Sequence, residues 1–271
     1  MKRASMDRNF LSLLRTAMLV VLALALCLPS AAQSLRAAAA SDLQFVLPEL
    51  AGQYEKQSGQ KLAISFGSSG NFFAQIQNGA PFDLFFSADI SYPEKLIRAG
   101  LAEGDTLQTY AAGRIVLWVP SDSPLDPGKL GWKVLLDPGV QRIAIANPAH
   151  APYGRAAVAA LQKAELYERL QPKLVLGENI AQAAQFVQSG GAQAGILALS
   201  LALSPPLNTG KRWDIPPELY PPIRQGAVVL KSSLSKAEAR AFLAFLRSEP
   251  ARATLARYGF SLPQAEAQRK P

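Results

Sequence analysis

The sequence predicts an α/β protein of two doubly wound lobes joined by two hinge crossings. Three observations carry that expectation. Short apolar runs of strand length alternate with segments of helical periodicity over residues 35–100, the βαβαβα order of a doubly wound sheet. A second alternation of the same kind occupies roughly residues 112–223. The chain then returns through a strand at 226–230 to two helices, 236–247 and 250–258, which have no sheet of their own and complete the first lobe. A cleft between two such lobes is a favoured place for a small molecule.

In the first lobe, residues 35–40 form a strand, and Phe45, Leu47, Leu50 and Tyr54 mark the helix after it. Ser41 and Asp42 stand at the turn between the two. Leu62, Ile64 and Phe66 alternate along the second strand, and Phe72, Phe73 and Ile76 recur at helical spacing beyond Gly67-Ser68-Ser69-Gly70. The first amides of a helix have no internal partner and sit at the positive end of its dipole. A serine hydroxyl beside them makes a neutral pocket for an anion. Taken alone, each of these serines also reads as an ordinary N-cap. Two such turns after successive strands of one βαβ unit lie together at the carboxyl edge of the sheet, where ligands bind. Residues 82–88 form the third strand, apolar enough to be buried on both faces. Asp83 within it reads as a residue that opens the strand or shapes a turn.

Beyond a helix at 91–100, residues 105–112 read as a transition, 114–119 as a strand and 120–131 as a loop rich in Pro, Asp and Gly. A strand at 143–146, a loop at 147–154 (NPAHAPYG) and an Ala-rich helix at 155–163 follow. Residues 173–176 and 192–197 are strands. Between them a helix starts at Ile180 after Glu178-Asn179, with Ala184 and Val187 on its apolar face. Residues 205–222 are proline-rich and irregular. The crossings are expected near 110–113 and 224–226. They divide the chain into lobe 1 (residues 33–111 and 225–263), lobe 2 (112–224) and a polar, disordered tail (264–271).

Lys2, Arg3, Arg8 and Arg15 precede an apolar run at 17–28 that closes on Pro29-Ser30-Ala31-Ala32. This is the pattern of a cleaved signal peptide over residues 1–32, and it predicts a periplasmic protein. The run is short for a membrane span. Leu26 precedes Cys27 where a lipoprotein signal places a small residue. Cleavage takes the formal net charge from +8 to +5 and removes the one cysteine, so the remainder relies on its core rather than on disulfides. The excess of positive charge is scattered, with no Lys/Arg cluster interleaved with aromatics. That argues against a nucleic-acid partner and supports a mild attraction for anions.

His150 is the single histidine, and no G-x-S-x-G turn supplies a nucleophile for it. Its neighbours read as loop, which gives it a turn or surface role. The sequence holds no His/Cys cluster for zinc, no calcium loop, no Walker lysine and no G-x-G-x-x-G motif, so no cofactor is expected. Hydroxyls, amides and Tyr153 remain as cleft candidates. That set orients an anion and offers little for acid–base work, so binding fits better than catalysis.

The stretches AAAASD, FGSSGNFFAQI with APFDLFFSAD, NPAHAPYG, GENIAQA and GAQAGI follow the order found in the periplasmic molybdate-binding proteins. The chain resembles that family, the substrate-binding subunits of molybdate ABC importers and similar to type II periplasmic binding proteins, from about residue 36 to 262. The resemblance implies the two-lobed cleft, a molybdate or tungstate ligand, a membrane permease as partner and a monomeric protein that is not an enzyme. It places Ser41 as the first oxyanion-binding hydroxyl, with the amide of Asp42 beside it, and Ser69 as the second, with Ser68 as neighbour. It makes Tyr153 a backbone donor, to which its own hydroxyl adds, and Ile180 the donor of a further amide. The metal is thus held as its oxyanion through Ser41, Ser69, Tyr153 and Ile180. In one respect the chain departs from the pattern. Many members carry an anion-contacting tyrosine where this chain has Ala198. Either Tyr153 replaces that contact or the pocket is looser. Sulfate, phosphate or a small organic anion is therefore the alternative ligand. An exported α/β hydrolase, which would need His150 beside a serine in the cleft, is the more distant alternative.

Overall fold

The computed structural model describes residues 34–262. The signal peptide expected over 1–32 and the tail expected over 264–271 lie outside the described residues. The chain begins with β1 (Leu35–Ala40), α1 (Val46–Ser58), β2 (Leu62–Gly67), α2 (Ser69–Gln77), β3 (Leu84–Ser87), α3 (Ser91–Arg98) and β4 (Gln108–Gly113). It continues through β5 (Ile115–Val119), α4 (Pro127–Leu130), β6 (Ile143–Ala146), α5 (Pro152–Lys163), α6 (Tyr167–Leu170) and β7 (Leu174–Gly177). Then come α7 (Ile180–Gln188), β8 (Ala194–Ala198), α8 (Leu199–Ala202), β9 (Lys211–Asp214), β10 (Ile223–Val229), α9 (Lys236–Phe245) and α10 (Glu249–Arg257).

These strands form two sheets of five, in the orders β2-β1-β3-β10-β4 and β7-β6-β8-β5-β9. In each, three parallel strands are joined on one side by an antiparallel one. This is the two-lobed α/β class expected. In β1 the run Ala37–Ala40 is fully buried, as a central parallel strand covered on both faces requires. Successive residues serve opposite faces. Ala37, Ala39 and Phe86 pack towards α1, α9 and α10, while Ala38 and Phe85 pack towards α2 and α3. The last two helices belong to the first lobe because their aromatic residues interlock with it. The Phe242 ring lies 5.1 Å from that of Tyr54 and 6.0 Å from that of Phe86. α1 stops at Gly59, whose φ of 73° is the left-handed conformation that ends many helices.

Three local expectations are corrected. Residues 105–112, read as a transition, contain β4, which pairs antiparallel with β10 (Ile223↔Gly113, Gln225↔Ala111). Its ladder partner is more than a hundred residues away, so local pattern could not reveal it. The irregular stretch 205–222 contains β9, an edge strand on β5 whose residues are only half-buried and so leave a weak periodic signal. α5 begins at Pro152 rather than at 155, because proline suits the first helical position and its missing amide is no loss there. Tyr153 and Gly154 therefore lie in the first turn. The chain leaves the first sheet after Gly113, enters the second at Ile115, and comes back at Ile223.

Candidate oxyanion site

β1 and β2 run parallel with Ala40 opposite Gly67, so Ser41 and Ser68 leave neighbouring strands at the same edge. In the second sheet Ala146 is opposite Gly177, which sets the 147–151 loop and Asn179-Ile180 at the corresponding edge. Ser41, Asp42, Ser68, Ser69, Tyr153 and Ile180 all line one small interlobe space. Among the described residues, no lysine, arginine or histidine lines it, although His150 Nδ1 lies 2.9 Å from Oγ of the lining Ser68.

The two adjacent serines have different tasks. Ser68 caps α2, accepting from the amide of Asn71 at 3.3 Å. Ser69 is the first helical residue and fully buried, and its Oγ accepts from the amide of Ala88 at 3.0 Å. That bond uses a lone pair and leaves the Ser69 proton available to an acceptor in the space. Ser41 is not the cap of a long helix. It opens a 3-10 turn (Ser41–Leu43), and its Oγ accepts from the amide of Ala181 in the opposite lobe at 3.3 Å. Asn179 caps α7 through bonds from Ala181 (3.0 Å) and Gln182 (3.1 Å). The amides of Ser69, Tyr153 and Ile180 stand in the first turns of α2, α5 and α7, where a helix offers no acceptor. Three positive helix ends and neutral hydroxyls thus converge on one volume, an arrangement suited to an anion.

The side chain of Tyr153 does not act as expected. Its hydroxyl donates to Asp42 Oδ2 at 2.9 Å, across the lobes. Gln225 Nε2 donates to the same oxygen at 2.5 Å, and Tyr110 donates to Gln225 Oε1 at 2.6 Å. Ser200 Oγ donates to the Asp42 carbonyl at 2.8 Å. Burial pushes the Asp42 carboxyl up to about 7, against the bonds from Gln225 and Tyr153 that favour its ionised form. Burial also pushes the phenols of Tyr110 and Tyr153 well above their usual value, so both are donors at any physiological pH. Sequence reasoning missed Gln225 and Tyr110. Their one signal was a glutamine inside an apolar strand, just before Gly226, where the β10 ladder shifts register.

His150 lies in a turn, as expected, but its side chain also makes contacts across the cleft. It faces the opposite lobe at the rim of the cleft, with Nδ1 2.9 Å from Ser68 Oγ and Nε2 3.6 Å from Glu178 Oε1. Its carbonyl accepts from the amide of Gly70 at 2.9 Å, and Asn71 Nδ2 donates to Glu178. A serine does therefore lie beside the histidine, as the hydrolase alternative required. The Ser68 oxygen, however, is the acceptor that caps α2, and the Glu178 side chain is 57% exposed, so the trio lacks the enclosed, oriented acid of a catalytic triad. Ala198 ends β8, is fully buried and pairs with Ile115 rather than reaching the space. A larger interlobe groove nearby, about 310 Å³, is lined by Asp89, Glu94, Arg155 and Arg224, among others. Arg155 there is already paired with Asp89 at 2.7 Å.

Residues 35–261 match the family model described as bacterial extracellular solute-binding protein. The chain is 38% identical to the molybdate-binding protein ModA of Rhodobacter capsulatus over 89% of its own length and 93% of the relative's. It is 40% identical to ModA of Azotobacter vinelandii over 87% and 92% of the two lengths. The solved periplasmic molybdate-binding protein of Azotobacter vinelandii superposes with a TM-score of 0.79 at 38% identity, covering 85% of this chain and 100% of that one. On these grounds the chain belongs to the bacterial extracellular solute-binding proteins, in the group that contains these molybdate-binding relatives.

Proposed function

We propose that this protein binds molybdate, and tungstate with it, in the interlobe space and delivers it from the periplasm to the membrane permease of an ABC importer. The observation that carries this reading is the convergence of the α2, α5 and α7 N-termini with Ser41 and Ser69 on a volume that no cationic side chain lines. Molybdate is a tetrahedral dianion that offers only acceptors. Hydrogen bonds to a charged acceptor contribute about 1.5–3 kcal/mol each, so five or six donors offset much of its desolvation. Ser41 and Ser69 supply hydroxyls, and Asp42, Tyr153 and Ile180 supply amides. The helix ends supply the field that neutral donors lack. The names of the relatives support the choice of anion.

No group in the site is placed for acid–base work on a substrate, and the anion is cargo that leaves unchanged, so the protein is a carrier and not an enzyme. It acts as a monomer whose two lobes close on the anion about the passages into β5 and β10. Sulfate, being smaller, cannot reach donors on both lobes at once, whereas tungstate nearly matches molybdate in size and charge. A direct test is equilibrium titration with molybdate: saturable binding of one anion per protein is expected, and its absence overturns the reading.

A further inference from the structure

Three buried polar side chains meet where the lobes join, and none of their polar groups is needed to hold the anion. Asp42 follows β1, Gln225 lies in β10 and Tyr153 opens α5 in the other lobe. Asp42 Oδ2 receives both the Tyr153 hydroxyl (2.9 Å) and Gln225 Nε2 (2.5 Å), and the latter is 3.1 Å from the Tyr153 oxygen. Gln225 is held in turn by the Tyr110 hydroxyl at 2.6 Å. Two backbone features make room for this. The β10 ladder shifts register between Gln225 and Gly226, the kind of irregularity that re-aims a side chain. Gly113, the last residue before the crossing, leaves the socket open, because a Cβ there would lie 2.1 Å from the Tyr153 oxygen.

We propose that Tyr153 is a positioning residue for closure: its hydroxyl, seated in the Gly113 socket on Asp42 and Gln225, fixes the N-terminus of α5 against the first lobe. The inference rests on the proposed anion site. With the strut engaged, the Tyr153 amide in one lobe and the Ser41 and Ser69 hydroxyls in the other bound the same space. Without it, the second lobe loses a buried hydrogen bond to the first, and the bound anion leaves faster. The strut differs from simple core packing in that its polar partners come from both lobes and its worth depends on closure.

The test measures molybdate dissociation by stopped flow, together with equilibrium affinity, for the wild-type protein, Tyr153→Phe, Asp42→Ala and the double variant. The expected result is a dissociation rate raised about tenfold in each single variant and by much less than the product of the two in the double, because both changes remove the same Tyr153–Asp42 bond. Asp42→Asn, which keeps an acceptor for the hydroxyl, recovers most of the loss seen in Asp42→Ala. A Tyr153→Phe protein that releases molybdate at the wild-type rate overturns the proposal, as do single effects that multiply in the double variant. Gln225→Leu serves as the second probe should Asp42→Ala fail to fold, and a wild-type rate there counts equally against the strut. A wild-type protein that binds no molybdate overturns the proposed function instead. The strut is then judged by small-angle scattering, where Tyr153→Phe should have a larger radius of gyration than wild type and an equal one refutes it.

Discussion

The Tyr153 hydroxyl lies 2.9 Å from the Asp42 carboxylate, and the two residues stand on opposite sides of the cleft. One turn of α5 thereby carries two separate functions. Its backbone faces the interlobe space, while its aromatic side chain ties the lobes together at the hinge. The carboxyl that receives the hydroxyl is fully buried, and its Oδ1 has no hydrogen-bond partner among the described residues.

That carboxyl makes stability depend on pH. Burial raises its folded-state value from 3.8 to about 7. The folded protein then keeps a proton that the unfolded chain releases, so stability is greatest below the unfolded value and falls as pH rises through this window. The full change is at most about 4 kcal/mol, reached above pH about 7. Thermal unfolding between pH 5 and 8 should show a falling midpoint in the wild-type protein and a flatter profile in Asp42→Asn. Parallel profiles would mean that Asp42 does not carry the proton.

The two adjacent serines should separate by experiment. Ser69→Ala removes a donor to a charged acceptor and should weaken molybdate binding by at least about tenfold. Ser68→Ala removes a helix cap and should mainly lower stability, by about 1 kcal/mol. Calorimetric titration alongside chemical denaturation reads both. An unchanged dissociation constant in Ser69→Ala would remove that hydroxyl from the donors.

At the rim, His150→Ala deletes the contacts to Ser68 and Glu178. Partly exposed polar contacts are individually weak, so release should quicken by only about threefold. Incubation with a nitrophenyl ester tests the hydrolytic alternative on the same side chains. Hydrolysis that disappears in Ser68→Ala would contradict a purely binding role.

Gly154→Ala should unfold the second lobe more easily. A Cβ there would meet the Ala146 carbonyl oxygen at 2.1 Å, and neither backbone can yield without lifting α5 off β6. A loss of more than about 2 kcal/mol in urea denaturation is expected, in the range of strained core substitutions. A loss below 0.5 kcal/mol, the scale of surface changes, would show that α5 can shift.

Much of this molecule could be read from local pattern. The strands ending at Ala40 and Gly67 declare themselves as apolar runs, and parallel pairing brings the serines that follow them together. The aim of a side chain is harder to read. The Tyr153 hydroxyl turns to the hinge because Gly113, forty residues earlier, leaves space there and Gln225, seventy-two residues later, supplies a donor. Neither is visible from Tyr153's neighbours. The cross-lobe contacts of His150, which does lie in a turn, escape local pattern for a related reason. A lone histidine in an Asn-Pro loop has no periodicity, and its partners Ser68 and Glu178 belong to other strands' ends. β4 and β9 were missed because each owes its strand to a distant ladder partner, not to its own composition.

The most direct measurement is calorimetric titration of the protein with molybdate, tungstate and sulfate in parallel. The account predicts tight binding of one molybdate or one tungstate per protein, with sulfate giving no measurable heat, because only the larger dianions reach donors on both lobes. Sulfate bound as tightly as molybdate, or no binding of any of the three, would contradict it.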